Sequence, residues 1–306
     1  MLFRHEYRGG VWVDLEQPSE EDVRRVAEEF PISKRTEKEI LSPTPSALAE
    51  ADADTALLIL HFPAHGAEDG DTRNQEVDFI VGDGFIITAR YEVVAPIHHL
   101  KKLLEARELV AAQDTLTTSV LLELLFAHLY TSVRDHASHV ASRLERIERD
   151  MFDGHERATV RAISNVNREF LHLDAAIASQ EEPLGRFFKE LSAREPFGTA
   201  FAERAERILA ERARVARVVA THRAVAAELR ETNSILLETR QNEVMKTLTI
   251  VNFVFLPLGL ISWIFSMRTE GMPLVGSPNA FWIVLALMLG VALLLVAFFA
   301  KKRWLF

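Results

Sequence analysis

The sequence predicts an α+β domain with long helices, followed by a two-helix transmembrane hairpin at its carboxy end. Three observations carry that prediction. Two uncharged apolar runs, 249–267 and 280–300, each cover roughly 30 Å as a helix, the thickness of the hydrocarbon core of a bilayer. Alternating apolar segments bounded by turn residues occupy the first 95 residues. Between 201 and 256 the chain holds neither Gly nor Pro, so no backbone breaker separates a helix that starts far from the first apolar run from that run itself.

Taken in order, VWVDLEQPSEEDVRRVAEEF (11–30) alternates as a strand and then adopts helical spacing. Ser19 is placed to cap the helix, and Asp22 holds the third following position of a capping box. Pro43-Thr44-Pro45 breaks the chain. TALLILHFPAH (55–65) and QEVDFIVGDGFIITAR (75–90) read as strands, the second split by a hairpin turn at Gly82-Asp83-Gly84. Residues 1–95 are expected as an α/β lobe. Residues 96–200 are expected to be helical, with one or two helices in 98–153, another over about 156–180 and a shorter one near 182–193. REPFG (194–198) is the last punctuation before a stalk helix, 201–267, that continues into the first span. Such a helix would be roughly 90 to 100 Å long. Its length calls for lateral support from a bundle or ring of chains.

The link 268–279, RTEGMPLVGSPN, is short and rich in Gly and Pro, so the chain reverses there and enters the second span, 280–300. Arg240 and Lys246 precede the first span, and Lys301, Lys302 and Arg303 stand in the basic tail 301–306, against Arg268 alone among basic residues in the link. The positive-inside rule places both termini in the cytoplasm and the link outside, in a multi-pass inner-membrane protein. Trp263, Trp282 and Trp304 lie toward span ends, where indoles anchor to headgroups. An amide at membrane depth needs a partner or water, so Asn252 should face another helix or an aqueous path. One hairpin cannot enclose a path. A closed ring of chains, first spans inside and second spans outside, can.

Composition narrows the chemistry. The 306 residues include 44 acidic and 35 basic side chains, a net charge of -9, and no cysteine. Disulfides and thiolate metal sites are excluded, and a broad basic surface for nucleic acid is not expected. MLFRHEYRGG has no apolar core of a signal peptide. No GxGxxG follows a strand, and no nucleophile stands beside a base, so the chain does not read as an enzyme. His61 and His65 fall in a strand and loop, His98 and His99 point apart on a helix, and EDGD (68–71) reads as a solvated turn. His136 and His139 share a helical face and fit either a metal pair or ordinary surface and packing histidines. Most Glu side chains of the stalk are expected in water or paired with nearby Arg.

TNSILLETRQNEVMKTLTIVNFVFLPLGLISWIF, then Met272-Pro273, a second span and a closing KKRW resemble the membrane end of the CorA magnesium-channel family, which includes ZntB-type zinc transporters. The order of lobe, long helices and terminal hairpin resembles that family over the whole chain. The resemblance implies a homopentamer with a cytoplasmic funnel, a pore lined by the first span, and divalent metal ions as cargo and as possible regulators, with no cofactor. On that reading Asn242, Met245, Thr249, Asn252, Leu256, Gly259 and Trp263 fall near a common pore-facing stripe, with Met245 and Leu256 as hydrophobic constrictions. Trp263 either narrows the path or turns into a helix interface. The family signature at the outer end of the first span is Gly-Met-Asn. Here Ser266, Met267 and Arg268 occupy those positions, with Glu270 two residues on. Arg268 reads as an interfacial anchor, as a ring of charge that filters ions, or as one half of an intersubunit salt bridge. The departure keeps two alternatives in view, a channel for anions or small solutes that responds to tension, and a non-conducting scaffold.

Overall fold

The computed structural model describes residues 2–64, 73–108, 116–195, 197–267 and 279–302, with the side chains of 107, 108, 199 and 200 left aside. The expectations for His65, EDGD, Arg268, Glu270, most of the link and Trp304 lie outside the described residues. The chain forms two compact units, Met1–Arg230 and Glu231–Phe306.

The first unit is built on six strands, β1 (Leu2–Tyr7), β2 (Gly10–Glu16), β3 (Leu48–Ala51), β4 (Thr55–Pro63), β5 (Asn74–Gly82) and β6 (Phe85–Arg90). They form one sheet in the order β1-β2-β6-β5-β4-β3. Neighbours run antiparallel except β2 and β6, which run parallel with Val11 opposite Phe85 and Asp14 opposite Thr88. The expected Gly-Asp-Gly turn joins β5 to β6, with Gly84 at φ 73°, a left-handed conformation that glycine adopts without steric cost. Val11 donates its N–H to the Gly84 carbonyl at 2.9 Å. A Cβ on Gly10 would lie 2.3 Å from that oxygen, so this close approach also requires glycine.

Helices cover both faces of the sheet, which is why β6 is buried along its whole length. On one face α1 (Glu20–Glu29) sets Val23 and Val26 against Val13, Leu15, Ile59, Ile80 and Ile87. Ser19 caps α1 as expected: Asp22 donates its N–H to Ser19 Oγ at 3.1 Å, and Ser19 returns its N–H to the Asp22 carboxylate at 3.3 Å. A short helix, α2 (Lys34–Glu39), follows. The other face carries α3 (Ala95–Glu108), α4 (Thr118–Asp150), α5 (Glu156–Ser179) and α6 (Glu181–Ser192). Phe79 of the sheet stacks on Phe126 of α4 at 4.9 Å between ring centroids, and Phe126 meets Phe188 of α6 edge-on at 5.6 Å. Each such ring removed from water contributes roughly 1.5–3 kcal/mol. A kink over Met151–His155, with Gly154 at φ 98°, carries α4 into α5.

A single helix, α7 (Gly198–Ser266), follows. Within the first unit it buries Phe201, Ala205, Ile208, Val215, Val219, Ala226 and Leu229, a recurrence of three, four and seven residues. Val225 is 45% exposed despite its apolar side chain. It sits about 100° round the helix from Ala226, which takes the buried position.

Candidate functional site

The carboxy-terminal unit contains the end of α7 and α8 (Ala280–Lys301), both long and apolar enough to cross a membrane and almost wholly unburied over their apolar windows. Each carries one half-buried stripe. On α7 it comprises Ile250, Val254, Pro257, Ile261 and Phe265; on α8 it comprises Val284, Met288, Val291, Leu295 and the buried Phe299. Both follow helical spacing, so the two helices pack along these faces. Phe253 meets Phe299 edge to face, with centroids 6.2 Å apart. Pro257 has no N–H for the Phe253 carbonyl, so one rung of the α7 hydrogen-bond ladder is missing at membrane depth.

Asn242, Met245, Thr249, Asn252, Leu256, Gly259 and Trp263 all lie on α7, and Ser266 is its last residue. At about 100° per residue their mean direction is roughly 150° from that of the half-buried stripe. Five of the seven are exposed on the side away from that stripe, while Thr249 and Gly259 are half-buried. Leu256 is 72% exposed and Trp263 74% exposed, while Asn242, Met245, Asn252, Ser266 and Met267 are also open. Thr249 donates its hydroxyl to the Met245 carbonyl at 2.7 Å, which leaves the hydroxyl oxygen free to accept.

Three polar clusters in the first unit were not legible from spacing. Asp14 of β2 is buried between Arg90 at 3.0 Å and Lys101 at 2.9 Å, and it accepts a hydrogen bond from Thr88 at 2.7 Å. Burial pushes the Asp14 carboxyl up, and the two cations outweigh it, holding it below its usual range. His136 Nε2 lies 3.1 Å from Glu169 and Arg143 Nη1 lies 2.8 Å from the same carboxylate. Burial raises Glu169, but His136 and Arg143 prevail and lower it. His139 is exposed, so the expected shared face does not bring the two histidines to one site. The third cluster joins His61, Glu76, Asp78 and Tyr91 around Thr44. The signal that could have found it is two carboxylates, at 76 and 78, inside the apolar strand QEVDFIVG. Among the described residues no group of three or more His, Asp or Glu side chains is arranged to hold a metal ion.

Comparison with known proteins agrees with this architecture. A family described as CorA-like Mg2+ transporter protein matches residues 7–303. The cobalt/magnesium transport protein CorA of Methanocaldococcus jannaschii is 20% identical over 301 residues, which cover 96% of this chain and 91% of that one. The magnesium transport protein CorA of Salmonella typhimurium is 27% identical over 305 residues, covering 96% and 92%. The complete structure of the M. jannaschii CorA magnesium transporter superimposes with a TM-score of 0.83 at 19% identity, covering 98% of this chain and 93% of that one.

Proposed function

The chain belongs to the CorA-like Mg2+ transporter family, and from that premise we propose that it is a homopentameric inner-membrane channel or transporter for divalent metal ions, gated by its cytoplasmic domain. Magnesium is the leading cargo, with zinc and cobalt as competitors. The observation that carries the reading is the open face of α7. Its polar and apolar residues recur on one line, and α8 occupies a different side of the helix. A ring of such hairpins directs that line to a central path and leaves α8 toward lipid. Along the path Asn242, Thr249 and Asn252 offer oxygen atoms to a hydrated cation, while Met245 and Leu256 form constrictions that close by dewetting. Trp263 adds a third bulky position nearer the outer end.

In this reading the lobe 1–95, the helical region 96–200 and the early part of 201–267 lie in the cytoplasm. The link 268–279 faces outward, and 301–306 returns inside. Transport requires no covalent step and no resident cofactor. At the outer entrance Ser266, Met267, Arg268 and Glu270 meet the arriving ion. Five guanidinium groups at that level oppose a divalent cation, since Arg is always charged and offers no acceptor.

The test is flux into proteoliposomes holding the purified chain, with separate reporters for magnesium, zinc and chloride. Metal entry is expected from the unmodified protein, and Arg268→Asn is expected to raise it. Chloride movement without metal entry would overturn the proposal in favour of an anion path, and silence in every assay would favour a scaffold.

A further inference from the structure

Glu76 and Asp78 leave the same face of β5, two residues apart, opposite His61 and Ile59 of β4. Both carboxyl groups are buried. The oxygens of Glu76 are well supplied with donors: the Thr44 N–H at 3.0 and 2.7 Å, the Thr44 hydroxyl at 3.2 Å, and His61 Nε2 at 3.1 Å. His61 Nε2 also lies 2.9 Å from the Thr44 carbonyl. Both neighbours of that nitrogen are acceptors, so it carries a proton. Asp78 Oδ2 accepts the Tyr91 hydroxyl at 3.0 Å. Asp78 Oδ1 is buried and has no donor.

A buried carboxylate oxygen without a donor is costly, and a second carboxylate beside it makes the cost larger. Glu76 lies within hydrogen-bonding reach of Asp78, and Glu39 adds a further negative charge from the end of α2. Among the groups facing the site, His61 of β4 can carry positive charge, and it is engaged by Glu76. Tyr91, after β6, is a donor with its own ionisation pushed up by burial and by Asp78. Two converging carboxylates fall short of the ligand set a metal ion needs, and no larger group is present among the described residues. A proton satisfies the geometry. It turns Asp78 Oδ1 into a donor and leaves Glu76 as the single charge facing His61.

We propose that Asp78 and Glu76 hold one proton between them at neutral pH, making this corner of the sheet a proton-binding site whose loss loosens the amino-terminal unit in alkali. The site fastens two segments to the sheet: the stretch after α2 through Thr44 and the stretch after β6 through Tyr91. Burial, then Glu76, pushes Asp78 well above its ordinary value. The native chain therefore keeps a proton that the unfolded chain releases above about pH 4. Stability declines as pH rises from there through the raised native value, and levels off beyond it. His61 acts in the same direction: its hydrogen bond to Glu76 raises it, so its contribution is complete below about pH 6.5 and is lost as pH passes the raised value.

The experiment is infrared spectroscopy of the full chain in detergent, comparing wild type with Asp78→Asn and Glu76→Gln across pH. A protonated-carboxyl stretch that shifts in D2O is expected in the wild type at pH 7 and absent from Asp78→Asn. In Glu76→Gln, where the like charge is gone, the stretch should disappear at a pH lower by about one unit or more. The fall in melting temperature between neutral and alkaline pH should shrink in Asp78→Asn, whose amide still donates to Glu76. Absence of the stretch from wild-type protein at pH 7, or the same melting profile in wild type and Asp78→Asn, would overturn the proposal. If Asp78→Asn does not fold, the same comparison against Glu76→Gln decides. Flux is not part of the readout, so neither result depends on what the chain transports.

Discussion

Replacing Asp14 with Ala should be among the most damaging single changes in the amino-terminal unit. The carboxylate is fully buried and holds Arg90, Lys101 and Thr88, while Thr88 in turn accepts the Trp12 indole N–H at 3.0 Å. Without it Arg90 keeps Glu16 at 2.5 Å and the Glu92 carbonyl at 3.2 Å. Lys101 keeps the Phe3 ring, 4.5 Å from its ammonium. Arg90 is then left with one partly exposed carboxylate and Lys101 with an aromatic ring, in a site dry enough that neither cation is compensated as before. Removing one partner of a buried ion pair costs about 3–5 kcal/mol, against about 5–15 kcal/mol for a typical domain. The assay is urea unfolding of the full chain in detergent, followed by Trp12 fluorescence with Trp263, Trp282 and Trp304 replaced by Phe. Adding Lys101→Met to Asp14→Ala should restore about 0.5–3 kcal/mol, because it removes the cation left with the poorer partner. A loss no larger than the roughly 0.5 kcal/mol of an ordinary surface substitution, or no coupling between the two sites, would refute the reasoning.

Other outcomes follow from the same geometry. Asp14 is held below its ordinary value, so its contribution to stability is present above about pH 4 and fades as pH falls through the lowered native value; acid titration of the melting temperature, flattened in Asp14→Asn, checks this. Phe126→Ala empties a site between Phe79, Tyr130 and Phe188 and should cost about 3–5 kcal/mol in the same urea assay. Leu256→Asn replaces an apolar side chain, the proposed constriction, with a hydrated one on the open face of α7. It should raise metal flux into proteoliposomes on the order of tenfold, the effect of about 1.4 kcal/mol removed from a barrier.

The hairpin turn at 82–84, the Ser19 cap and the uninterrupted long helix could be read directly from the residues, because each depends on chemistry within a few positions along the chain. The parallel pairing of β2 with β6 could not. It joins strands far apart in sequence, and nothing in VWVDLE specifies FIITAR as its neighbour. β1 and β3 were missed for another reason: LFRHEY and LAEA carry charges at the margin of the sheet and alternate weakly. The seven proposed pore-facing positions share a face by spacing alone, whereas the half-buried stripe, which sets the five exposed ones apart from α8, needed coordinates. His136 and His139 show the limit of spacing in the other direction. Three residues apart on a helix, one is buried against Glu169 and the other is in water. The cluster at Asp78 brings together residues from β4, β5 and the segments after α2 and β6, a convergence that no local spacing specifies.

The parallel contact of Val11 with Phe85 also bears on the order in which the chain is made. Strand β2 leaves the ribosome early, but it has only β1 to pair with until β6 appears. Once Arg90 has emerged, all six strands exist, and the first apolar span is still about 160 residues from synthesis. At about 5–20 residues per second that gap lasts roughly ten to thirty seconds. The sheet therefore has time to assemble in water before the first span is delivered to the bilayer. A change that slows the closure of β2 on β6 would show first in nascent chains as exposed strand edges, ahead of any effect on membrane insertion.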